Sequence, residues 1–310
     1  MWLLLLLGTV GDAVAGSGPW VISEGDASFY GGTEFQRLTR LALSTGKGAP
    51  EEVDVDDGLE TFGAKAILTY GLRDRIELEA RLPWYRVEAN TQGPICAALS
   101  LGACETTEGI GQMQARLKGV VVDELRGAPV SIALGAETRF GTFTSDTRQR
   151  ITNIGEGTND VGAFASMGRS GGLADGFWSG WVEGGWRHRF PNREFASVGA
   201  VPGDEFFGDA EFLAGSQRWW SLGPSLTWLW RPDGFDVEQL LGNPQVATSI
   251  DRWGALNISS LRVGGKLLLR SSDRVDFVAG VLTTVAAVNN PSDVLTVSVG
   301  VSVHPGPEAN

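Results

Sequence analysis

Residues 294–304 alternate strictly. Leu295, Val297, Val299, Val301 and Val303 are apolar, and Thr296, Ser298, Gly300, Ser302 and His304 between them are small or polar. Successive side chains of a strand point to opposite faces, whereas a helix would scatter both sets around its circumference. The segment predicts a strand with one apolar and one polar face. The same period recurs along the chain. Met113, Ala115 and Leu117 alternate with Gln112, Gln114, Arg116 and Lys118; Ile132, Leu134 and Ala136 alternate with Ser131, Glu137 and Arg139 on the other parity. Residues 73–82 are rich in helix formers, yet Ile76, Leu78, Ala80 and Leu82 alternate with Glu77, Glu79 and Arg81 before Pro83. Strand is the better reading there too.

About twelve strands follow from this period, near 26–42, 60–71, 75–88, 110–122, 130–144, 159–169, 176–190, 207–217, 222–231, 254–270, 275–288 and 294–304. Most meet the ~9–11 residues a tilted strand needs to cross a bilayer. Long connections near 43–58, 89–109, 145–158, 191–206 and 232–253 alternate with short ones near 72–74, 123–129, 170–175, 218–221 and 271–274; the short 289–293 breaks the rhythm. Long outer loops and short periplasmic turns characterise a transmembrane antiparallel up-and-down β-barrel of the outer membrane. Such a barrel pairs every backbone donor and acceptor internally, as hydrocarbon demands. The expectation is an all-β chain in which residues 16–310 form one barrel domain with a short polar tail. The 43 glycines, roughly twice the usual share of ~7%, suit strands and tight packing rather than helices.

The apolar run Trp2–Val10 followed by Ala13-Val14-Ala15 reads as a signal peptide over residues 1–15, without the usual positive start. Export leads into oxidising surroundings, so Cys96 and Cys104, with seven residues between them, are candidates for a loop-closing disulfide. They are too few for a structural zinc site, and no metal or cofactor is expected. The net charge of −12 and the lack of a basic run argue against nucleic acid as a partner. Trp178, Trp186, Trp228 and Trp230 fall on outer faces near strand ends, where membrane interfaces favour them. Outer-membrane lipid is thus one expected partner, and a small solute the other.

Alternation sends a charged set inward: Lys65, Glu77, Glu79, Arg81, Arg116, Lys118, Glu137, Arg139, Glu183, Arg187, Arg189, Asp209, Glu211, Arg262, Lys266 and Arg270. On the lipid face an Arg or Lys near the midplane would cost about 2–4 kcal/mol. Their direction is well motivated, but two roles stay open. They line a wet pore, or they pair into a network that fills the interior. Twelve strands lie between the filled eight-stranded barrel and the open sixteen-stranded porin, so strand number does not decide. The acidic run Glu51–Asp57 reads as a solvated outer loop.

Several short stretches carry a resemblance. Tyr70-Gly71-Leu72-Arg73-Asp74-Arg75-Ile76-Glu77-Leu78, Leu82-Pro83, Gly109-Ile110-Gly111 and Gly155-Glu156-Gly157-Thr158-Asn159-Asp160 together resemble the meta-pathway phenol-degradation family of outer-membrane proteins. The likeness runs over about residues 20–304. It implies a transporter-like barrel for small, often aromatic or hydrophobic, molecules, and supplies no binding residues. The chain departs from the common outer-membrane pattern in ending on His304-Pro305-Gly306-Pro307 and a polar tail instead of a terminal aromatic. The expected function is an outer-membrane channel or transporter. The alternative is a filled barrel acting as a surface-binding or structural protein. An enzyme is not expected: His188 and His304 are the sole histidines, and no Gly-x-Ser-x-Gly or His-Glu-x-x-His motif occurs.

Overall fold

A computed structural model describes residues 18–44, 50–89, 106–141, 154, 158–191, 202–216, 218–233 and 257–304. The signal-peptide segment 1–15 and the pair Cys96 and Cys104 lie outside the described residues. Thirteen strands follow in chain order: β1 (Ala27–Leu43), β2 (Glu51–Arg73), β3 (Ile76–Ala89), β4 (Thr107–Ile110), β5 (Met113–Val122), β6 (Ser131–Phe140), β7 (Asn159–Leu173), β8 (Gly176–Phe190), β9 (Glu205–Ser216), β10 (Trp220–Arg231), β11 (Ile258–Ser272), β12 (Val275–Val288) and β13 (Asn290–Val303). Apart from β4 and β5, each pairs antiparallel with its sequence neighbours, and β1 pairs with β13, so the sheet closes on itself. β4 and β5 both lie on β3, one above the other, and make a single broken stave. The result is a closed barrel of twelve staves, with both ends of the described chain on the short-turn side.

The break has a local cause. Pro83 of β3 has no N–H to give its neighbour, and the next stave resumes through the Gly111 N–H, which donates to the Pro83 carbonyl at 2.9 Å. β2 holds a second irregularity. Leu38 pairs with Leu59 and Arg40 with Asp54, so residues 55–58 bulge opposite Thr39. Gly58 sits at φ +72°, and a Cβ there would lie 2.7 Å from the Leu38 carbonyl oxygen. The acidic run read as loop is therefore the far end of a long strand. Beyond the bulge, Arg40 pairs with Asp54 at 3.0 Å and Glu52 at 3.7 Å. At 23 residues, β2 exceeds twice what a bilayer crossing needs, and this β1–β2 extension projects past the hydrocarbon on the long-loop side.

The one short connection on that side turns on Asn289 at φ +47°, a conformation Asn tolerates better than most residues. Its side chain closes the turn. Nδ2 donates to the Asn257 carbonyl at 2.7 Å, and Oδ1 accepts from the Ser44 N–H at 2.7 Å. On the opposite side, the longest turn holds one turn of 3-10 helix (Glu124–Arg126), with Asp123 accepting from the Leu125 N–H.

The apolar parity faces out. Leu78, Leu117, Leu134, Val182, Leu222 and Val297 are exposed, while Thr296, Ser298 and Ser302 between the outward valines of β13 are buried. Trp186 and Trp230 mark the long-loop rim of this apolar belt, and Trp219 and Trp220 the short-turn rim. This is the layout lipid imposes: apolar mid-wall and amphipathic rings at both interfaces. Val297→Arg, at the middle of β13 on the outer face, is expected to cost about 2–4 kcal/mol in vesicle-based urea unfolding, and Val297→Leu almost nothing. Equal stability of the two variants would remove this face from the hydrocarbon.

Candidate functional site

The inward parity builds one row of alternating charge along the wall. Following strand register, Glu79 of β3 faces Arg116 of β5, which faces Glu137 of β6. Glu137 faces Gly162 of β7, Gly162 faces Arg187 of β8, and Arg187 faces Glu205 of β9. Gly162 is the reason the row does not break. A Cβ there would lie 3.2 Å from Glu137 Cγ and 2.7 Å from the Trp186 carbonyl oxygen. Without one, Arg187 reaches across β7 to Glu137 at 2.5 Å.

The row is the spine of a larger network. Arg116 contacts Glu183 closely, Glu137 at 3.4 Å and Glu79 at 4.0 Å, and Arg81 pairs with Glu79 at 2.6 Å. Arg187 also contacts Glu205 closely, and Glu205 takes Arg231 at 2.9 Å and Arg139 at 3.6 Å. Gln114 adds a hydrogen bond to Glu137 at 2.9 Å. Two aromatic rings support the row from the short-turn side. The Arg116 guanidinium lies 3.9 Å from the Phe164 ring centroid and that of Arg187 4.0 Å from Phe207. Both rings occupy space left by glycines, Gly135 beneath Phe164 and Gly185 beneath Phe207. A buried charge is tolerated where it is paired and its hydrogen bonds are met, and ring faces add cation–π attraction.

Other inward charges form further pairs. Lys266 meets Glu211 at 2.5 Å across β10, Lys65 meets Glu34 at 3.7 Å, and Arg189 meets Asp160 at 3.9 Å. Arg262 is buried on β11, and Asp209 shares a register position with Glu183. Arg270 differs: it lies near the short-turn end with its side chain 41% exposed, 3.4 Å from Asp276.

Lys118 anchors a different feature. Its ammonium pairs with Glu77 at 2.8 Å and donates to the carbonyls of Gly18 at 2.9 Å and Trp20 at 2.7 Å. The Ile22 N–H donates to Glu77 at 3.1 Å, and the Trp20 indole N–H to Glu124 at 2.9 Å. Gly18 packs on Trp181, Pro19 lies near Gly168, and the Gly25 N–H donates to the Gly71 carbonyl at 2.9 Å. Residues 18–25 thus arc along the inner wall at the short-turn mouth, from β8 and β7 across β5 and β3 to β2, before β1 begins.

Every inward residue named from the sequence falls on the inner parity, and most of them meet in these pairs. Glu205, Arg231, Asp160 and Glu34 are further members that alternation had not singled out. Glu205 falls in the long connection expected at 191–206, although it shares parity with Asp209 and Glu211 two and three turns of the pleat away. His188 faces outward. Its Nδ1 lies 2.8 Å from Asp204, which also accepts from the Trp186 indole at 3.0 Å, and the Phe190 ring stands edge-on to it at 4.8 Å. It belongs to the aromatic rim.

No protein-family profile matches the chain, and no curated protein matches it. Solved structures do. The COG4313 outer membrane channel from Pseudomonas putida F1 is 16% identical and superposes with a TM-score of 0.65 over 96% of this chain and 100% of that one. The NanC porin is 7% identical, with a TM-score of 0.48 over 89% of this chain and 98% of that one. A TodX mutant described as a monoaromatic hydrocarbon channel is 9% identical, with a TM-score of 0.42 over 96% of this chain and 95% of that one. At its identity, the first of these establishes the fold: a transmembrane barrel of the outer-membrane type.

Proposed function

We propose that this chain is an outer-membrane channel for small organic molecules, aromatic or hydrophobic ones among them, and not an enzyme. The observation that carries the reading is a closed wall whose inner face carries a charged network on β3 to β10, beside an apolar patch of Ile67, Leu268, Val278 and Leu282 on β2, β11 and β12. Lipid supplies no reason to keep so many charges inside a barrel, and a translocated solute does. The superposable relative is itself a channel, and the reading extends that role to this chain. A second reading has its own support. Arg187, Arg231, Arg262 and Lys266 are at most 3% exposed, which suits a filled barrel serving a structural or surface-binding role.

Conductance of the refolded chain in a planar lipid bilayer separates the two, with insertion verified by a heat-dependent gel shift. The channel reading expects small, steady current steps that millimolar aromatic solute reduces. An inserted protein that stays silent and lets no solute into vesicles would leave the filled barrel as the better account.

A further inference from the structure

The net charge of the chain is laid out by side. The stave ends and connections at the long-loop end, residues 37–60, 86–108, 141–157, 191–204, 232–257 and 289–293, carry eighteen carboxylates against eight Lys and Arg. That is ten of the twelve negative charges in excess on the whole chain. The wall and the short-turn end together are nearly balanced, with nineteen carboxylates against seventeen Lys and Arg. The counts run over every residue, and ion pairing redistributes the field without changing its sum.

The rim over β1 to β4 shows how the excess is presented. Arg40 is shared by Asp54 at 3.0 Å and Glu52 at 3.7 Å, carboxylates whose side chains are 75% and 58% exposed. On the outer face below them, Arg37 lies 3.9 Å from Glu60 and Arg86 2.6 Å from Glu88. Each of these guanidiniums thus has a carboxylate beside it, and Glu51, Glu108 and Asp293 add further exposed negative charge. Exposed pairs are individually weak, but a field of one sign across a mouth acts at longer range. Twelve tilted strands ~4.8 Å apart close on a barrel about 24 Å across. The Debye length is ~10 Å at 0.1 M salt and ~30 Å at 0.01 M, so at low salt the field covers the whole mouth.

We propose that the outer end of the barrel draws cationic solutes to the lumen and turns anions away. The solute class it favours is amine-bearing organic cations over carboxylates of the same size. Selection at the mouth works through the long-range field, with no fixed seat for the cation. The inference rests on the channel reading and gives that channel a charge sign.

The first measurement is the reversal potential of the refolded chain in a planar bilayer, under a roughly tenfold KCl gradient at low salt. Potassium is expected to be preferred over chloride about tenfold at ~0.01 M salt, and the preference to vanish near ~1 M. Glu51→Lys with Glu52→Lys reverses two exposed charges at the outer end of β2. The pair should lower the low-salt preference several-fold while the heat-dependent gel shift is retained. A chloride preference, or a potassium preference that survives either the double variant or high salt, would overturn the inference. The second measurement needs no conduction. A fluorophore on Pro191→Cys, with Cys96→Ser and Cys104→Ser, stands at the outer end of β8, across the mouth from β1. Relative to the free dye, thallium(I) is expected to quench it several-fold better than iodide at ~0.01 M salt. A silent chain with this asymmetry keeps the cation-drawing mouth and loses the channel. A conducting chain with equal quenching and no ion preference keeps the channel and loses this inference alone.

Discussion

Arg187→Met is expected to lower the unfolding free energy of the barrel by about 3–5 kcal/mol, the range seen when one partner of a buried ion pair is removed. Arg187 is 1% exposed and bridges two carboxylates, Glu137 and Glu205, over the gap left by Gly162. Methionine fills much of the same volume against Phe207, so packing loss is small and the cost falls on the stranded carboxylates. Glu205 keeps Arg231 and Arg139; Glu137 keeps Arg116 at 3.4 Å and Gln114 at 2.9 Å. Arg187→Met with Glu137→Gln should recover part of the loss, because the amide leaves no bare charge behind. Urea unfolding in phospholipid vesicles, followed by tryptophan fluorescence, measures both. A loss below about 1 kcal/mol for the single variant, the range of an exposed pair, would mean that water reaches and screens the row.

The fold and the direction of the charges were legible because lipid enforces one rule at every position of a stave. A residue's parity decides its face, and mid-wall Arg or Lys has nowhere to go but inward. That is why Lys65, Arg116 and Lys266 could be placed from alternation alone. What alternation cannot supply is stagger. Glu79, Arg116, Glu137, Arg187 and Glu205 form one row only after each strand's register is fixed, and one residue of slip would have moved each to the other face. The boundaries that were missed have physical causes as well. The β2 strand looked complete at residue 60 because the bulge at 55–58 breaks the period there. Glu205 reads as part of a connection because Pro202 and Gly203 precede it. The contribution of residues 18–25 is invisible for another reason: apart from the Trp20 indole, the groups the segment offers to Lys118 and Glu77 are its own backbone carbonyls and N–H, which leave no pattern in side-chain identity.

Lys118→Met combined with Glu77→Gln is expected to raise the unit conductance several-fold without unfolding the barrel. Lys118 and Glu77 together hold Gly18, Trp20 and Ile22 against the inner wall through three hydrogen bonds to backbone groups. Removing Lys118 alone would strand Glu77, which is 2% exposed, and confound opening with destabilisation. The paired change leaves no buried charge. It also spares the backbone bonds between Gly71 and residues 25–26 that start β1, so the stave itself is not disturbed. What remains for the segment is the Trp20–Glu124 hydrogen bond, and one such bond is worth about 1.5–3 kcal/mol when one partner is charged. A segment held that weakly spends part of its time off the wall, and ions then meet a wider mouth. Bilayer recordings of the double variant against the unmodified chain give the answer, with Trp20→Ala added as a third step that should raise conductance further. Unchanged conductance in all three would place the narrowest point higher in the lumen, at the charged row itself.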